Sequence, residues 1–232
     1  MQSYSQFGED ILLWDHFYGK QNGFFVEIGA NHPTLLSQTW FFERQGWSGI
    51  LVEPLASKCQ LLRSARPRSK VVQAAIGAPE QRGPAKLNVA AEDDMLSGLR
   101  VDRDVIVGGV EDVEVRTLDD VLIEAGNPKI DLLSIDVEGL ELDVLRGFNI
   151  EQAQPKVVLV EDHLQQLSLH RHIVRRGYRL VKRTGCNNWY VPVGSEFKLS
   201  TLIEKLLLYK EIHMDTPIRC MRFYFKKQLW RQ

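Results

Sequence analysis

Cysteine is scarce in this sequence, and none of it is arranged for chemistry. Cys59, Cys186 and Cys220 stand far apart, with no CxxC pair and no Cys/His cluster at zinc-binding spacing. An odd, scattered count argues against a disulfide framework and fits a reducing compartment. An excess of one charge is also missing: 29 Lys/Arg against 30 Asp/Glu leave a net charge of −1, so no basic surface for nucleic acid is expected. No stretch approaches the roughly 20 apolar residues of a membrane span. The opening residues MQSYSQFGEDILLW hold neither a basic stretch nor a long apolar run, so no signal peptide is expected. Repeats and low-complexity segments are absent too. These absences describe a soluble, cytoplasmic protein of one domain with a small appendage.

What is present alternates between short β-rich runs and helical segments, the pattern of βαβ units and a parallel sheet. Strands are predicted at Phe24–Ile28, Gly49–Glu53, Lys70–Ile76, Leu132–Asp136 and Lys156–Glu161, all near-continuous Val/Ile/Leu runs suited to burial on both faces. Helices are predicted at Leu35–Gln45, Leu118–Glu124 and Glu141–Leu145. After Glu161 the pattern changes to a helix at His170–Arg176 closed by Gly177. An antiparallel hairpin follows, with Tyr178–Arg183 and Trp189–Val193 flanking Gly185-Cys186-Asn187-Asn188. Residues 1–195 read as the α/β domain. Residues 196–232 form a separate segment with eight Lys/Arg against four Asp/Glu and amphipathic spacing at Leu199, Leu202, Ile203, Leu206 and Leu207. Packing on the domain or on a second copy, giving a homodimer, is the plainer expectation for it; a membrane-surface role is the sharper one.

Open α/β sheets bind ligands beyond the carboxyl ends of their strands, so strand-ending residues matter most. The first strand ends in Glu27-Ile28-Gly29-Ala30-Asn31-His32-Pro33. Gly29 would allow a tight turn and close approach, and Glu27 stands where a cationic amine could be held. One glycine in place of GxGxxG disfavours a pyrophosphate, and with it a nicotinamide-dependent oxidoreductase. The second strand ends in Glu53-Pro54, 24 residues after Gly29, near the spacing at which an acid accepts from ribose hydroxyls. The fourth strand ends Ile135-Asp136-Val137-Glu138-Gly139, and 25 residues on the fifth ends Val160-Glu161-Asp162-His163. Adjacent buried acids are costly unless something positive joins them. Asp136, Glu161 and Asp162 offer an oxygen-rich set for a hard cation such as Mg²⁺, which would orient vicinal hydroxyls and acidify one of them. His163, or else Glu138, is the general-base candidate, with Asp136 beside the reacting atoms. The alternative is that Glu138 and Glu161 bind backbone amides and cap loops.

SQFGED near the start, FVEIGANHP, the SQT–FFE–GWSGILVEP block, AAIG, TLDD at 117–120, LLSIDVEGLE and VLVEDH together resemble the FkbM family of methyltransferases over roughly residues 3–193. The resemblance implies a Rossmann-like class I fold with a mostly parallel seven-stranded sheet, helices on both faces and an antiparallel closing hairpin. It also implies S-adenosylmethionine as methyl donor and O-methylation of a sugar, glycan or polyketide-type hydroxyl. By position, Glu27, Gly29, Ala30 and Asn31 match the first donor motif, Glu53-Pro54 the ribose-binding acid, and Ala75 and Ile76 the segment beside the adenine. His32-Pro33 stands where family loops often carry further glycines, and Glu53 where Asp is common. The strand-four and strand-five acids are similar to those of metal-dependent catechol-type and macrolide-sugar O-methyltransferases. In those enzymes a base often stands three residues after the first acid, a position that is Gly139 here. Gln6, Glu9 and Asp10 could lid the donor site or cap a helix, and Asp93–Ser97 could contact either substrate. A non-catalytic binding module on the same scaffold is the rival from outside enzymology.

Overall fold

The computed structural model describes residues 1–90, 107–162 and 167–218. Its centre is a seven-stranded sheet in the order β3-β2-β1-β7-β8-β10-β9. The strands are β1 (Phe24–Ile28), β2 (Ser48–Glu53), β3 (Ser69–Gln73), β7 (Leu132–Ile135), β8 (Val157–Glu161), β9 (Tyr178–Thr184) and β10 (Asn187–Pro192). β1 pairs in parallel with β2 and β7, β2 with β3, and β7 with β8, while β10 runs antiparallel to both β8 and β9. The chain therefore winds outward from β1 to β3 and returns beside β1 as β7. That reversal of direction opens a crevice at the carboxyl ends of β1 and β7. This is the expected Rossmann-like α/β topology, a mostly parallel seven-stranded sheet with an antiparallel closing hairpin.

Both faces of the sheet are apolar, and the pleat sorts them. Val26, Ile28, Ile50, Val52, Leu133 and Ile135 point to one face. There they meet α4 (Leu118–Glu124), α5 (Glu141–Arg146) and α7 (Ser168–Val174). Phe25, Leu51, Leu132, Val157 and Leu159 point to the other, against α1 (Glu9–His16), α2 (Trp40–Arg44) and α3 (Ala56–Ala65). The helical termini follow ordinary chemistry: Thr117 caps α4 by accepting from Asp120 N, and Asp120 reaches back to Thr117 N, a reciprocal capping box.

Four expectations need correction. The run Lys70–Ile76 is two strands: β3 stops at Gln73, and β4 (Ala75–Ile76) pairs with a different sheet. The chain turns where Ala74 N donates to the Glu53 carbonyl at the end of β2. The predicted helix Leu35–Gln45 is helical at Trp40–Arg44, because Ser37, Gln38 and Thr39 turn to solvate the buried Glu27. The hairpin turn is the pair Gly185-Cys186, with Asn187 and Asn188 already in β10. Finally, a second sheet, ordered β4-β6-β5, is built from β5 (Gly83–Ala90) and β6 (Val107–Arg116), a stretch for which no strand was predicted. A small core of its own, with Leu55, Ala75, Leu87, Val113 and Val115, seats it beside the crevice. Two short elements complete the domain: α6 (Ile150–Ala153) and, in the C-terminal segment, α8 (Leu202–Lys210). No helix among the described residues is long and apolar enough to cross a membrane.

Candidate active site

The crevice is a cleft of about 380 Å³. The β1 turn supplies Glu27, Gly29, Ala30 and Asn31 to its wall, and the end of β2 supplies Glu53 and Pro54. Ala75 and Ile76 line the side nearest the second sheet, and Asp136, Glu138 and Glu161 line the opposite end. The β1 turn forms because Gly29 adopts φ 83°, and its two following contacts are backbone: Gly29 N and Ala30 N both donate to Val52 O, at 3.0 and 3.1 Å. A Cβ on Gly29 would stand 1.7 Å from the carbonyl oxygen of Asp136. The glycine is thus required by the approach of β7, and the ligand-side clearance comes with it.

Glu27 and Glu53, similar in sequence, are employed differently. Glu27 is 5% exposed and surrounded by donors: Gln38 N at 3.0 Å, Thr39 Oγ1 at 2.5 Å and Ser37 Oγ at 3.4 Å. Burial pushes its carboxyl above the usual range, and the Arg66 guanidinium 4.0 Å away, with those donors, pulls it back. Its carboxylate therefore positions the 37–39 loop along the cleft. Glu53 accepts from Asn31 N (3.0 Å) and Leu55 N (2.9 Å), one on each carboxylate oxygen. Both oxygens of Glu53 are thus held in the wall of the cleft. Two buried acceptors in the cleft wall, Asn31 Oδ1 and Gln38 Oε1, have no hydrogen-bond partner. Such orphans are rare in folded proteins and are accounted for by a donor supplied from the cleft. The residues thus fit an adenosyl amino acid, whose ribose diol and α-ammonium are all donors.

Arg66 ties this wall together from within. It is fully buried at the end of α3, donating to Glu43 (2.7 Å), Pro33 O (3.0 Å) and Thr39 Oγ1 (2.9 Å), and it stacks over Phe25 and Trp40. His32 accepts from Leu35 N (2.9 Å) and Thr34 N (3.2 Å) on Nδ1, so it closes its own turn.

At the other end, Asp136, Glu138 and Glu161 bring carboxylate oxygens within 4.8 Å of one another. Asp136 is exposed as a residue, and its carboxyl stands beside Glu161, Glu138 and Glu141. Burial, then the charges of Glu161, Glu138 and Glu141, holds its carboxyl well above the usual range. Burial pushes the Cys186 thiol up to about 12, with Glu161 and Asp136 adding to the effect. Glu138 (φ 53°) and Gly139 (φ 89°) make consecutive left-handed turns, held by Glu141 Oε1, which accepts from Gly139 N and Val137 N. A non-glycine residue held there costs on the order of 1 kcal/mol or more, and such residues concentrate at functional sites.

The methyltransferase FkbM domain model matches residues 27–180. The chain belongs to the FkbM methyltransferase family. None of the curated proteins matches it. A solved structure of methyltransferase FkbM from Methylobacillus flagellatus KT is similar at 17% identity and TM-score 0.49, covering 73% of this chain. The chain spans 43% of that protein's length. The TehB-like SAM-dependent methyltransferase of Corynebacterium glutamicum ATCC 13032 Kitasato is similar at 8% identity and TM-score 0.45, covering 81% of this chain and 89% of its own. The precorrin-6y C5,15-methyltransferase of Geobacter metallireducens GS-15 follows at 11% and 0.44, covering 82% and 90%.

Within this FkbM domain, the expected site residues do not all meet. Asp162, expected as a metal ligand, is outside the converging group. Its carboxylate accepts from Asn188 Nδ2 (3.1 Å) and its carbonyl from Arg183, because successive strand-end residues point to opposite faces. Glu138, expected as a base, takes its place. His163 and Asp93–Ser97 lie outside the described residues. Of the N-terminal trio, Gln6 lines the cleft. Asp10 accepts from Tyr4 N and Ser3 Oγ, and Glu9 from Thr184 Oγ1 and Asn187 Nδ2, so both tether the segment instead. Sequence reasoning missed Gln38, which belongs to the family-like SQT block but was assigned no role. It also missed Leu87, brought to the cleft by the unexpected β5.

Proposed function

We propose that this protein is an S-adenosylmethionine-dependent O-methyltransferase acting on a hydroxyl of a sugar, glycan or related natural product. The observation that carries the donor half is the pair of orphaned acceptors, Asn31 Oδ1 and Gln38 Oε1, in the same cleft as Glu53. When bound, the donor supplies an electrophilic methyl on a sulfonium. Glu53 accepts from the ribose hydroxyls, Asn31 and Gln38 from the α-ammonium, and Ala75 and Ile76 flank the adenine. The transfer is an in-line displacement that needs alignment more than covalent help. A carboxylate of the Asp136 end would take the proton of the acceptor hydroxyl, whose oxygen would accept the methyl as the donor leaves as the neutral thioether. Of the two base candidates, Glu138 lines this cleft among the described residues. The elevated proton affinity of Asp136 suits the same end of the site to taking up a proton.

Calorimetric titration with S-adenosylhomocysteine tests the donor half. Micromolar binding is expected, weakened at least about tenfold in Glu53→Ala and more mildly in Gln38→Leu. A folded protein that does not bind would remove the proposal.

The mutual approach of Asp136, Glu138 and Glu161 favours a second reading of the acceptor end, assisted by a divalent cation. These three would hold it, and it would orient vicinal hydroxyls and acidify one. Under that reading EDTA abolishes turnover and Mg²⁺ restores it; turnover indifferent to EDTA leaves the carboxylates acting alone.

A further inference from the structure

The N-terminal segment is tied down on both sides of Gln6. On one side Ser5 pairs in parallel with Leu36, a cleft residue held at φ 57°. Asp10 fixes the same stretch by accepting from Ser3 Oγ (2.6 Å), Tyr4 N (2.7 Å) and Ser5 Oγ (3.0 Å). A left-handed leucine is retained only where its surroundings fix it, and the pairing with Ser5 does so. On the other side the ring of Phe7 covers the hairpin turn so closely that a Cβ on Gly185 would stand 2.2 Å from it. Buried Glu9 accepts from Thr184 Oγ1 (3.0 Å) and Asn187 Nδ2 (2.8 Å) on that hairpin, and from Phe7 N (2.9 Å). Between these anchors Gln6 is exposed and lines the cleft, and its side-chain amide hydrogen-bonds to no other described residue.

We propose that Gln6 is a donor-binding residue whose amide Nε2 donates to the α-carboxylate of S-adenosylmethionine. The inference rests on the donor assigned to this cleft above. That donor brings a carboxylate as well as an ammonium, and the wall is hostile to a negative charge. Among the described residues its charged lining is five acids, Glu27, Glu53, Asp136, Glu138 and Glu161, with no Lys, Arg or His. An unpartnered carboxylate is costly in such a place, so neutral N–H groups must meet it. Carboxylate and ammonium share one carbon, which puts the carboxylate beside Gln38, the residue whose Oε1 takes the ammonium. Leu36 lies two residues before Gln38, and its pairing with Ser5 brings Gln6 to that loop. Turning the carboxylate toward the other end would set it against Asp136, Glu138 and Glu161, whose oxygens already crowd within 4.8 Å. Because Gln6 is anchored through its neighbours, its backbone is already ordered before the ligand arrives.

Calorimetric titration of the full chain with S-adenosylhomocysteine and with its decarboxylated analogue, which keeps the amine, tests it. Gln6→Ala is expected to weaken S-adenosylhomocysteine roughly tenfold, the loss of a hydrogen bond to a charged group, and to leave the affinity of the analogue unchanged. Gln6→Glu, which sets a like charge against the carboxylate, should weaken S-adenosylhomocysteine further and spare the analogue. Gln6 is exposed, so both variants should unfold at the parent's temperature. The assignment is overturned if Gln6→Ala binds S-adenosylhomocysteine as the parent does, or loses both ligands equally. A folded parent that binds neither ligand overturns the donor reading itself, and the assignment falls with it.

Discussion

At the scale of single residues, position on a strand does not fix the job of a side chain. Glu27 and Glu53 both end central strands and both line the cleft, yet Glu27 is consumed by the loop it organises. Glu53 accepts from the backbone N–H groups of Asn31 and Leu55, one on each oxygen, in the wall of the cleft. Sequence spacing found both acids because strand ends are legible; it could not tell them apart, because their donors come from residues that form no regular element. Asp136 carries a cost consistent with function. Its proton affinity is raised in the fold, so its contribution favours the native state below the unfolded-chain pKa and is lost as pH climbs through the raised folded value. Asp136→Asn should therefore melt higher than the parent at neutral pH, with the gap closing toward pH 4, while methyl transfer is lost and S-adenosylhomocysteine binding is kept. A variant that melts lower at pH 7, or that keeps turnover, would contradict this assignment.

At the scale of elements, one wall of the cleft is a loop held by a helix end. Residues 33–39 belong to no helix despite the helical pattern from Leu35 on, and their conformation is imposed by Glu27 and Arg66. Arg66 also neutralises Glu43, whose carboxylate accepts from Arg68 N and Ser69 Oγ. Removing one partner from a buried ionic network leaves the others charged and unpaired. Arg66→Met is expected to cost about 3–5 kcal/mol in chemical denaturation, and in the folded fraction to weaken S-adenosylhomocysteine binding through displacement of Gln38. Donor affinity unchanged in a destabilised variant would separate Arg66 from the site. The second sheet was the element least visible in sequence. In β6, buried Val113 and Val115 alternate with Asp112, Glu114 and Arg116, a proper period of two. Gly108 and Gly109 at its start and the dense charge give it the composition of a loop.

At the scale of the whole molecule, the first helix closes against the last hairpin. Glu9, fully buried, accepts from Thr184 Oγ1 and Asn187 Nδ2, across more than 170 residues of chain, and from Phe7 N. This contact fixes Gln6 at the cleft and joins the two ends of the domain. Glu9→Ala should lower stability by about 2–3 kcal/mol, since it orphans buried donors. Unfolding followed by tryptophan fluorescence and by circular dichroism should still coincide; separate transitions would mean that the two ends do not fold as one unit.

The amino-acid sequence by itself determined the layered α/β architecture, the strand cores and the acids at strand ends. Those depend on hydrophobic runs and turn residues that are local in the chain. It also carried the family pattern across most of the domain. Tertiary structure alone decided that Gly29 clears the Asp136 carbonyl, that Glu138 and not Asp162 joins Asp136 and Glu161, and that Gln38 and Leu87 reach the cleft. Each of these is a meeting of residues distant in sequence, set by strand order and by the alternation of side chains across the sheet, neither of which is written in any local stretch of the chain.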